Sequence, residues 1–260
     1  MKKARIDAVL AERGLFPSRS AAAGAVRAGE VRIGEDGPVA LRPSQLVEPE
    51  AALIVEEGPR FASRGGQKLE NALEALGVDI AGRDCLDVGA STGGFTDCLL
   101  QRGAARVVAL DVAYGQIAQG LREDPRVTVI ERWNARELQP SDLPFAPGLA
   151  TVDVSFISLT KILHSIAGCL ALGGEILAMV KPQFELGRER VGRGVVRDAA
   201  DRREAVLAVA GAARDLGLPI RGFASSGLPG PKGNRETFVW CGGPGGEIDD
   251  LEAAIAGVDV

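Results

Sequence analysis

Apolar residues recur at helical spacing in two early stretches, 4–15 (Ile6, Val9, Leu10) and 19–28 (Ala22, Ala25, Val26). Ser18 or Ser20 is suited to cap the second helix. After Gly29 the pattern shortens to strand-like pieces at Val31–Ile33 and Leu53–Val55, separated by Pro- and Gly-containing turns. From residue 64 the rhythm changes. A helix is expected over 67–76, and strands over 84–88, 106–111, 127–130, 149–154 and 175–180. Helical segments lie between most of them, notably 94–102 and 158–171. A charged, alanine-rich helix (199–216) precedes two last strands near 219–224 and 236–240. Such alternation predicts an α/β fold, a mostly parallel sheet covered on both faces. The expected organisation is a small α+β module at 1–57, a linker at 58–63, the α/β domain at 64–243 and an acidic tail at 244–260.

At 260 residues the chain accommodates both modules. No run approaches the roughly 18 uncharged apolar residues that span a bilayer; the best, 164–180, is interrupted by Gly173, Gly174 and Glu175. The N-terminus lacks the apolar stretch of a secretory signal. Cys85, Cys98, Cys169 and Cys241 have no metal-ligand spacing and read as buried thiols in a reducing compartment. A cytoplasmic protein is expected, with no membrane partner and no metal.

The formal charge of −5 changes meaning once it is located. Residues 1–60 hold nine basic and nine acidic side chains, residues 61–243 hold 21 of each, and the deficit of five lies in 244–260. Residues 1–32 carry seven basic groups against three acids, an excess that suits a nucleic-acid contact despite the acidic total. Only six of the 30 basic residues are lysines: 2, 3, 68, 161, 181 and 232. An interior lysine in so arginine-rich a chain points to a specific need for an ammonium group.

The stretch LDVGASTGGFTD runs from a strand through a glycine turn into a helix. Its turn, Gly89-Ala90-Ser91-Thr92-Gly93-Gly94 followed by Phe95, lacks the second glycine of a dinucleotide fingerprint, since Ser91 stands there. A ligand without phosphates fits better, and S-adenosylmethionine is such a ligand. Asp111, closing RVVALD, suits its ribose hydroxyls; Asn134 suits its adenine. The competing reading is a plain strand-to-helix turn.

Ligands of open parallel sheets lie beyond the carboxyl ends of the strands. Asp153 ends one such strand, Lys181 ends another, and Pro182 keeps Lys181 extended. An antiparallel last strand brings Glu236 to the same edge, and Lys68 lies on the helix preceding the first strand. Lys68, Asp153, Lys181 and Glu236 around a GASTGG turn resemble the Lys-Asp-Lys-Glu tetrad of the FtsJ-type RNA ribose 2′-O-methyltransferases. The strings SRGGQKLE, LDVGASTGGFTD, DVSFISL, VKPQFE and GPKGNRE more specifically resemble the TlyA (haemolysin A) family, over roughly residues 3–240. Residues 1–57 resemble the small RNA-binding fold named after a small-subunit ribosomal protein, with one departure. Ile33-Gly34-Glu35-Asp36 stands where that fold commonly has Val-Asn-Gly.

The resemblance implies a Rossmann-like sheet with its last strand antiparallel, S-adenosylmethionine as donor, and methylation of cytidine ribose in ribosomal RNA or ribosomal subunits. Candidate RNA contacts are Lys3, Arg5, Arg13, Arg19, Arg27 and Arg64. A ribose hydroxyl must lose its proton as the methyl arrives. A lysine takes that proton only if its pKa, ordinarily about 10.4, is lowered by a second ammonium or by desolvation. Lys181 is the expected base or alkoxide stabiliser, Lys68 its like-charged neighbour, and Asp153 and Glu236 orienting carboxylates.

The alternatives are structural salt bridges, a methyltransferase for a base, another RNA or a small molecule, a non-catalytic RNA binder, and a membrane-active haemolysin. Methylation of a pyrimidine carbon needs a cysteine nucleophile, and Cys169 falls within a helix. His164 is expected on a helix face, Trp133 and Trp240 in the core, and 182–198 as a loop or an RNA-contacting lid.

Overall fold

The computed structural model describes all residues except 1, 2, 17, 29, 36, 56–59, 193, 231 and 259. The chain divides into two compact units, Met1–Arg60 and Phe61–Val260. Of the linker expected at 58–63, residues 58 and 59 lie outside the described residues.

The first unit runs β1 (Ala4–Arg5), α1 (Ile6–Glu12), α2 (Arg19–Ala28), β2 (Val31–Ile33), β3 (Leu46–Val47) and β4 (Leu53–Val55). The helix expected over 4–15 is shorter at both ends. Ala4 and Arg5 pair with Val47 and Leu46, and Gly14 turns the chain at φ 72°. Ile6, Val9 and Leu10 from α1 meet Ala22, Ala25 and Val26 from α2 over Val31 and Val47. The apolar spacing that predicts the two helices is the spacing that builds this core.

The second unit begins with α3 (Arg64–Leu76), β5 (Asp84–Val88), α4 (Gly94–Gln101), β6 (Arg106–Asp111), α5 (Gln119–Arg122), β7 (Val127–Glu131) and β8 (Leu149–Val152). It continues with α6 (Leu163–Cys169), β9 (Glu175–Val180), α7 (Pro182–Glu185), α8 (Arg188–Val191), α9 (Ala199–Asp215), β10 (Ile220–Ser225), β11 (Thr237–Gly242) and α10 (Leu251–Ala256). Seven strands form one sheet in the order β10-β11-β9-β8-β5-β6-β7. Neighbours from β9 through β7 are parallel, and β11 runs antiparallel to both β9 and β10. Alternate residues serve opposite faces. Ile176, Ala178 and Val180 join the core shared with α6, α9 and α10, whereas Leu177 and Met179 join the core under α3 and α4.

Three details depart from the sequence reading. The helix expected over 158–171 is a 3-10 turn, Leu159–Lys161, followed by the shorter α6. Phe61 is buried in the α3–α4 core and Ser63 caps α3 through Gly65 N–H, so 61–63 belong to the domain and not to a linker. The acidic residues 244–260 also fold onto it. Ile255 and Val260 are buried in the main core, Ile248 N–H donates to Ile220 O at 2.8 Å, and Arg202 Nε donates to Val260 O at 2.7 Å.

Candidate active site

Register explains why distant residues meet. Val88 pairs with Val152, Val152 with Ala178, and Val180 with Thr237. The positions just beyond these pairs, Gly89, Asp153, Lys181 and Glu236, therefore fall on one edge of the sheet. Lys68 reaches that edge from the second turn of α3. All five line one cavity of about 630 Å³.

Two ion pairs organise the cavity. The Lys68 ammonium meets Glu236 Oε2, with side chains only 9% and 2% exposed. Lys181 Nζ lies 2.5 Å from Asp153 Oδ1 and 3.1 Å from Ser155 Oγ, in a more open position. Each lysine thus has its own carboxylate. Lys68 was expected as the like-charged neighbour of Lys181 and the two acids as orienting carboxylates; the structure pairs each ammonium with one of those acids.

The glycine turn is shaped by backbone crowding. Gly89 has φ 86°, and a Cβ there would stand 2.3 Å from Asp153 O, so the 89 and 153 backbones touch because no side chain intervenes. Ser91 is also left-handed, at φ 49°, a cost of about 1–3 kcal/mol that its surroundings must hold. They do so through the Ser91 N–H, which donates to Asp111 Oδ2 at 2.7 Å, while Asp111 Oδ1 accepts the Ala113 N–H at 2.7 Å. Beneath the turn, Asp87 is fully buried; Thr96 Oγ1 donates to its Oδ2 at 2.7 Å, and Oδ1 has no hydrogen-bond partner among the described residues. Burial pushes its carboxyl up to about 7, with the Asp153 and Asp111 charges adding to the shift and the Thr96 hydrogen bond opposing it.

Gly89, Ala90, Ser91, Gly94 and Phe95 line the cavity with the four charged residues. Phe95 also stacks on Phe238, with centroids 5.9 Å apart, and is largely a core residue. Thr92, Gly93, Asp111 and Asn134 do not line it. Gly93, at φ 96°, is the N-cap of α4. Asp111 braces the turn. Asn134 is exposed, and its side chain accepts the Arg136 N–H at 3.1 Å, capping a 3-10 turn instead of facing the cavity.

Sequence reasoning missed Ser155, Phe156, Phe184 and Lys232, all of which line the cavity. Phe156 is 91% exposed at φ 65°, and its ring centroid is 5.2 Å from that of Phe184. The signal was available in the residues following Asp153 and Lys181, Val-Ser-Phe and Pro-Gln-Phe. From the 182–198 segment, Gln183, Val191 and Gly194 also reach the cavity. His164 is exposed on α6. Trp133 is 37% exposed and so not a core residue, while Trp240 is half-buried against the α3–α4 core beneath Arg221. All four cysteines are buried; burial pushes the Cys85 and Cys241 thiols up to about 12 and raises Cys169 as well. The raised thiols of Cys85, Cys169 and Cys241 are not activated as nucleophiles.

In the first unit the basic candidates divide by what holds them. Arg5 donates to both oxygens of the buried Asp7, at 3.0 and 2.6 Å, and Arg19 lies 3.5 Å from the same carboxylate. Arg13 donates to the Ala51 and Pro49 carbonyls. Lys3 is 3.9 Å from Glu48, and Arg27 is exposed. Arg64, in the second unit, is exposed on the cavity wall and donates to Pro229 O at 3.2 Å.

Residues 61–243 match the model of the FtsJ-like methyltransferase family, and residues 4–53 match the S4 domain. The chain is 50% identical over 242 residues to the 16S/23S rRNA (cytidine-2′-O)-methyltransferase TlyA of Mycobacterium tuberculosis, covering 92% of this chain and 90% of the relative. Hemolysin A of Brachyspira hyodysenteriae is 36% identical, over 89% of this chain and 97% of its own. A solved structure from Streptococcus thermophilus that bears a hemolysin name superposes with a TM-score of 0.74 at 37% identity, covering 98% of this chain and 95% of the other. With an S4 domain ahead of an FtsJ-like domain and half its residues shared along nearly its whole length, the chain belongs to the TlyA family of FtsJ-like methyltransferases.

Proposed function

We propose that the protein transfers a methyl group from S-adenosylmethionine to the ribose 2′-hydroxyl of cytidine in ribosomal RNA, in the cytoplasm and on RNA or ribosomal subunits gripped in part by the S4 domain. One observation carries the reading: Lys68, Asp153, Lys181 and Glu236, from four separate elements, line one cavity with the glycine turn. The turn suits a ligand that packs on backbone, because Gly89, Ala90 and Ser91 line the cavity and their course is fixed by the close approach of Gly89 to Asp153 O. The donor supplies an electrophilic methyl carbon on a sulfonium centre. Lys181 receives the hydroxyl proton or holds the developing alkoxide. Asp153, at 2.5 Å, and Ser155, at 3.1 Å, fix its Nζ. Lys68 and Glu236 form the wall beside it. Much of the rate comes from alignment of the reacting atoms, which such a fixed cavity favours.

The hemolysin names of some relatives do not favour a membrane function here, as no described helix is long and apolar enough to cross a bilayer. Alkaline cleavage of RNA proceeds through the free 2′-hydroxyl, so a methylated ribose leaves a gap in the ladder. Wild-type protein with donor and unmodified ribosomal RNA should create that gap at a cytidine. Lys181→Met should retain donor and RNA binding while losing about 10²–10⁴-fold in rate. Methyl transfer that persists on a 2′-deoxyribose at the target would place the methyl on the base and end the reading.

A further inference from the structure

The charges lining the cavity do not balance. Lys68 and Lys181 are matched by Glu236 and Asp153. Arg64 and Lys232 line the same cavity, and neither forms an ion pair among the described residues. S-adenosylmethionine carries one carboxylate against an ammonium and a sulfonium, so its arrival adds positive charge. An anion brought by the other substrate would balance these charges. In RNA the anion nearest a 2′-hydroxyl is the phosphodiester on the neighbouring 3′-oxygen.

Arg64 is tied to the turn that carries Lys232, and that turn is held against the tetrad. Arg64 Nη2 donates to Pro229 O at 3.2 Å, at the base of the turn that carries Lys232. That turn is closed by Gly230 N–H to Asn234 O and Gly233 N–H to Gly230 O, both 2.8 Å. Asn234, only 3% exposed, fixes it to the segment across the cavity: its Nδ2 donates to Gly194 O at 2.8 Å, and its Oδ1 accepts the Val196 N–H at 2.9 Å. A side chain at Gly194 would begin 3.6 Å from Lys232 Nζ, and one at Gly230 would begin 2.6 Å from Glu236 Oε1. The turn therefore packs directly on a tetrad carboxylate while its tip presents an ammonium group.

We infer that Lys232 and Arg64 form a phosphodiester subsite for the backbone flanking the reacting ribose, so that the cavity selects a polynucleotide over a free nucleoside. This rests on the reading of the cavity as an RNA ribose site. Arg64 was among the residues expected to touch RNA, whereas Lys232 was not, and the pairing of the two assigns them one ligand. They bind substrate; neither takes part in proton transfer.

The test is filter binding of unmodified ribosomal RNA to the full chain across a salt series. Each lost phosphate contact flattens the slope of log affinity against log salt by about 0.7 to 0.9. Lys232→Gln and Arg64→Gln should each do so, Lys232→Arg should restore the wild-type slope, and Lys161→Gln, exposed and off the cavity, should leave it unchanged. Donor affinity should not move in any variant. An unchanged slope in Lys232→Gln overturns the subsite, as does an equal loss in Lys161→Gln, which would make the effect a general field. Weakened donor binding in Arg64→Gln also overturns it, by placing the guanidinium on the donor's carboxylate. The alkaline ladder keeps this separate from the reading beneath it: a methylated ribose with an unaltered Lys232→Gln slope fails the subsite alone, and an altered slope with no ribose methylation fails the proposed function alone.

Discussion

Lys68 and Glu236, 168 positions apart in sequence, form a buried ion pair that fastens α3 to the start of β11. Removing one partner leaves the other charged and unpaired, with little of its side chain open to water. Lys68→Met should destabilise the protein by about 3–5 kcal/mol in urea unfolding. Lys68→Met combined with Glu236→Leu should regain most of that loss, because a well-packed apolar pair replaces a costly ionic one, yet remain inactive. A single-variant cost below about 1 kcal/mol would mean that the pair does not hold the two elements together.

Gly89 presents a sharper steric case. At φ 86° with a prospective Cβ 2.3 Å from Asp153 O, alanine there must push the 153 backbone away and carry Asp153 off Lys181. Gly77 is the matched control, left-handed at φ 67° with nothing within 4 Å of its prospective Cβ. Gly77→Ala should cost only the left-handed penalty of about 1–2 kcal/mol and keep activity. Gly89→Ala should cost more and lose at least about tenfold in methyl transfer, since a 1 Å misplacement of reacting groups is worth that much or more. Equal effects of the two changes would mean that the Gly89–Asp153 approach is not needed for the site.

The legible parts of the fold were those written in local pattern. The β6 and β9 runs hold continuous apolar strings, Val107–Leu110 and Ile176–Val180, and the expected bounds of β5, β6 and β9 match the strands observed. The tetrad was legible because strand ends of a parallel sheet are a short list of positions. How the charges pair was not, since Lys68 finds Glu236 only through the docking of α3, and Asp153 finds Lys181 only through the β8–β9 register. Residues 244–260 misled because five acids surround the few apolar residues, Ile255 among them, that insert into the core. Asn134 misled because its side chain serves a local cap, a use that the residue type favours as strongly as ligand binding.

In the first unit, Arg5 is a poor probe of RNA binding. It pairs with Asp7, which is 4% exposed, and this hydrogen bond holds the Asp7 carboxyl below its ordinary value. Arg5→Glu would set a second carboxylate against a buried one and unfold the unit; a loss of RNA affinity would then say nothing of phosphate contacts. Arg27→Glu, at an exposed position, should weaken RNA binding and flatten its salt dependence while leaving the unit folded by circular dichroism. The sign of the acid response follows. A carboxyl whose folded pKa lies below its unfolded value contributes stability above the unfolded pKa, lost as pH falls through the folded one. The first unit should therefore weaken below about pH 4, and Asp7→Asn should remove that part of the acid sensitivity.

Asp87 has the opposite sign. Its carboxyl is pushed up to about 7 by burial, so between the ordinary carboxylate range and pH 7 the folded protein keeps a proton that the unfolded chain has released. Folding then binds protons, and the contribution of Asp87 is complete at low pH and is lost as pH rises through about 7. Thermal unfolding followed from pH 5 to pH 8 should show the wild type losing stability relative to Asp87→Asn, whose amide does not titrate. Thr96→Val sharpens the test. It removes the hydroxyl that donates to Asp87 Oδ2 at 2.7 Å and favours the ionised form. Its loss should move the midpoint of the decline to higher pH and deepen the instability at pH 8. A wild type that parallels Asp87→Asn across this range would mean that Asp87 is already ionised at pH 5, with its charge met inside the fold.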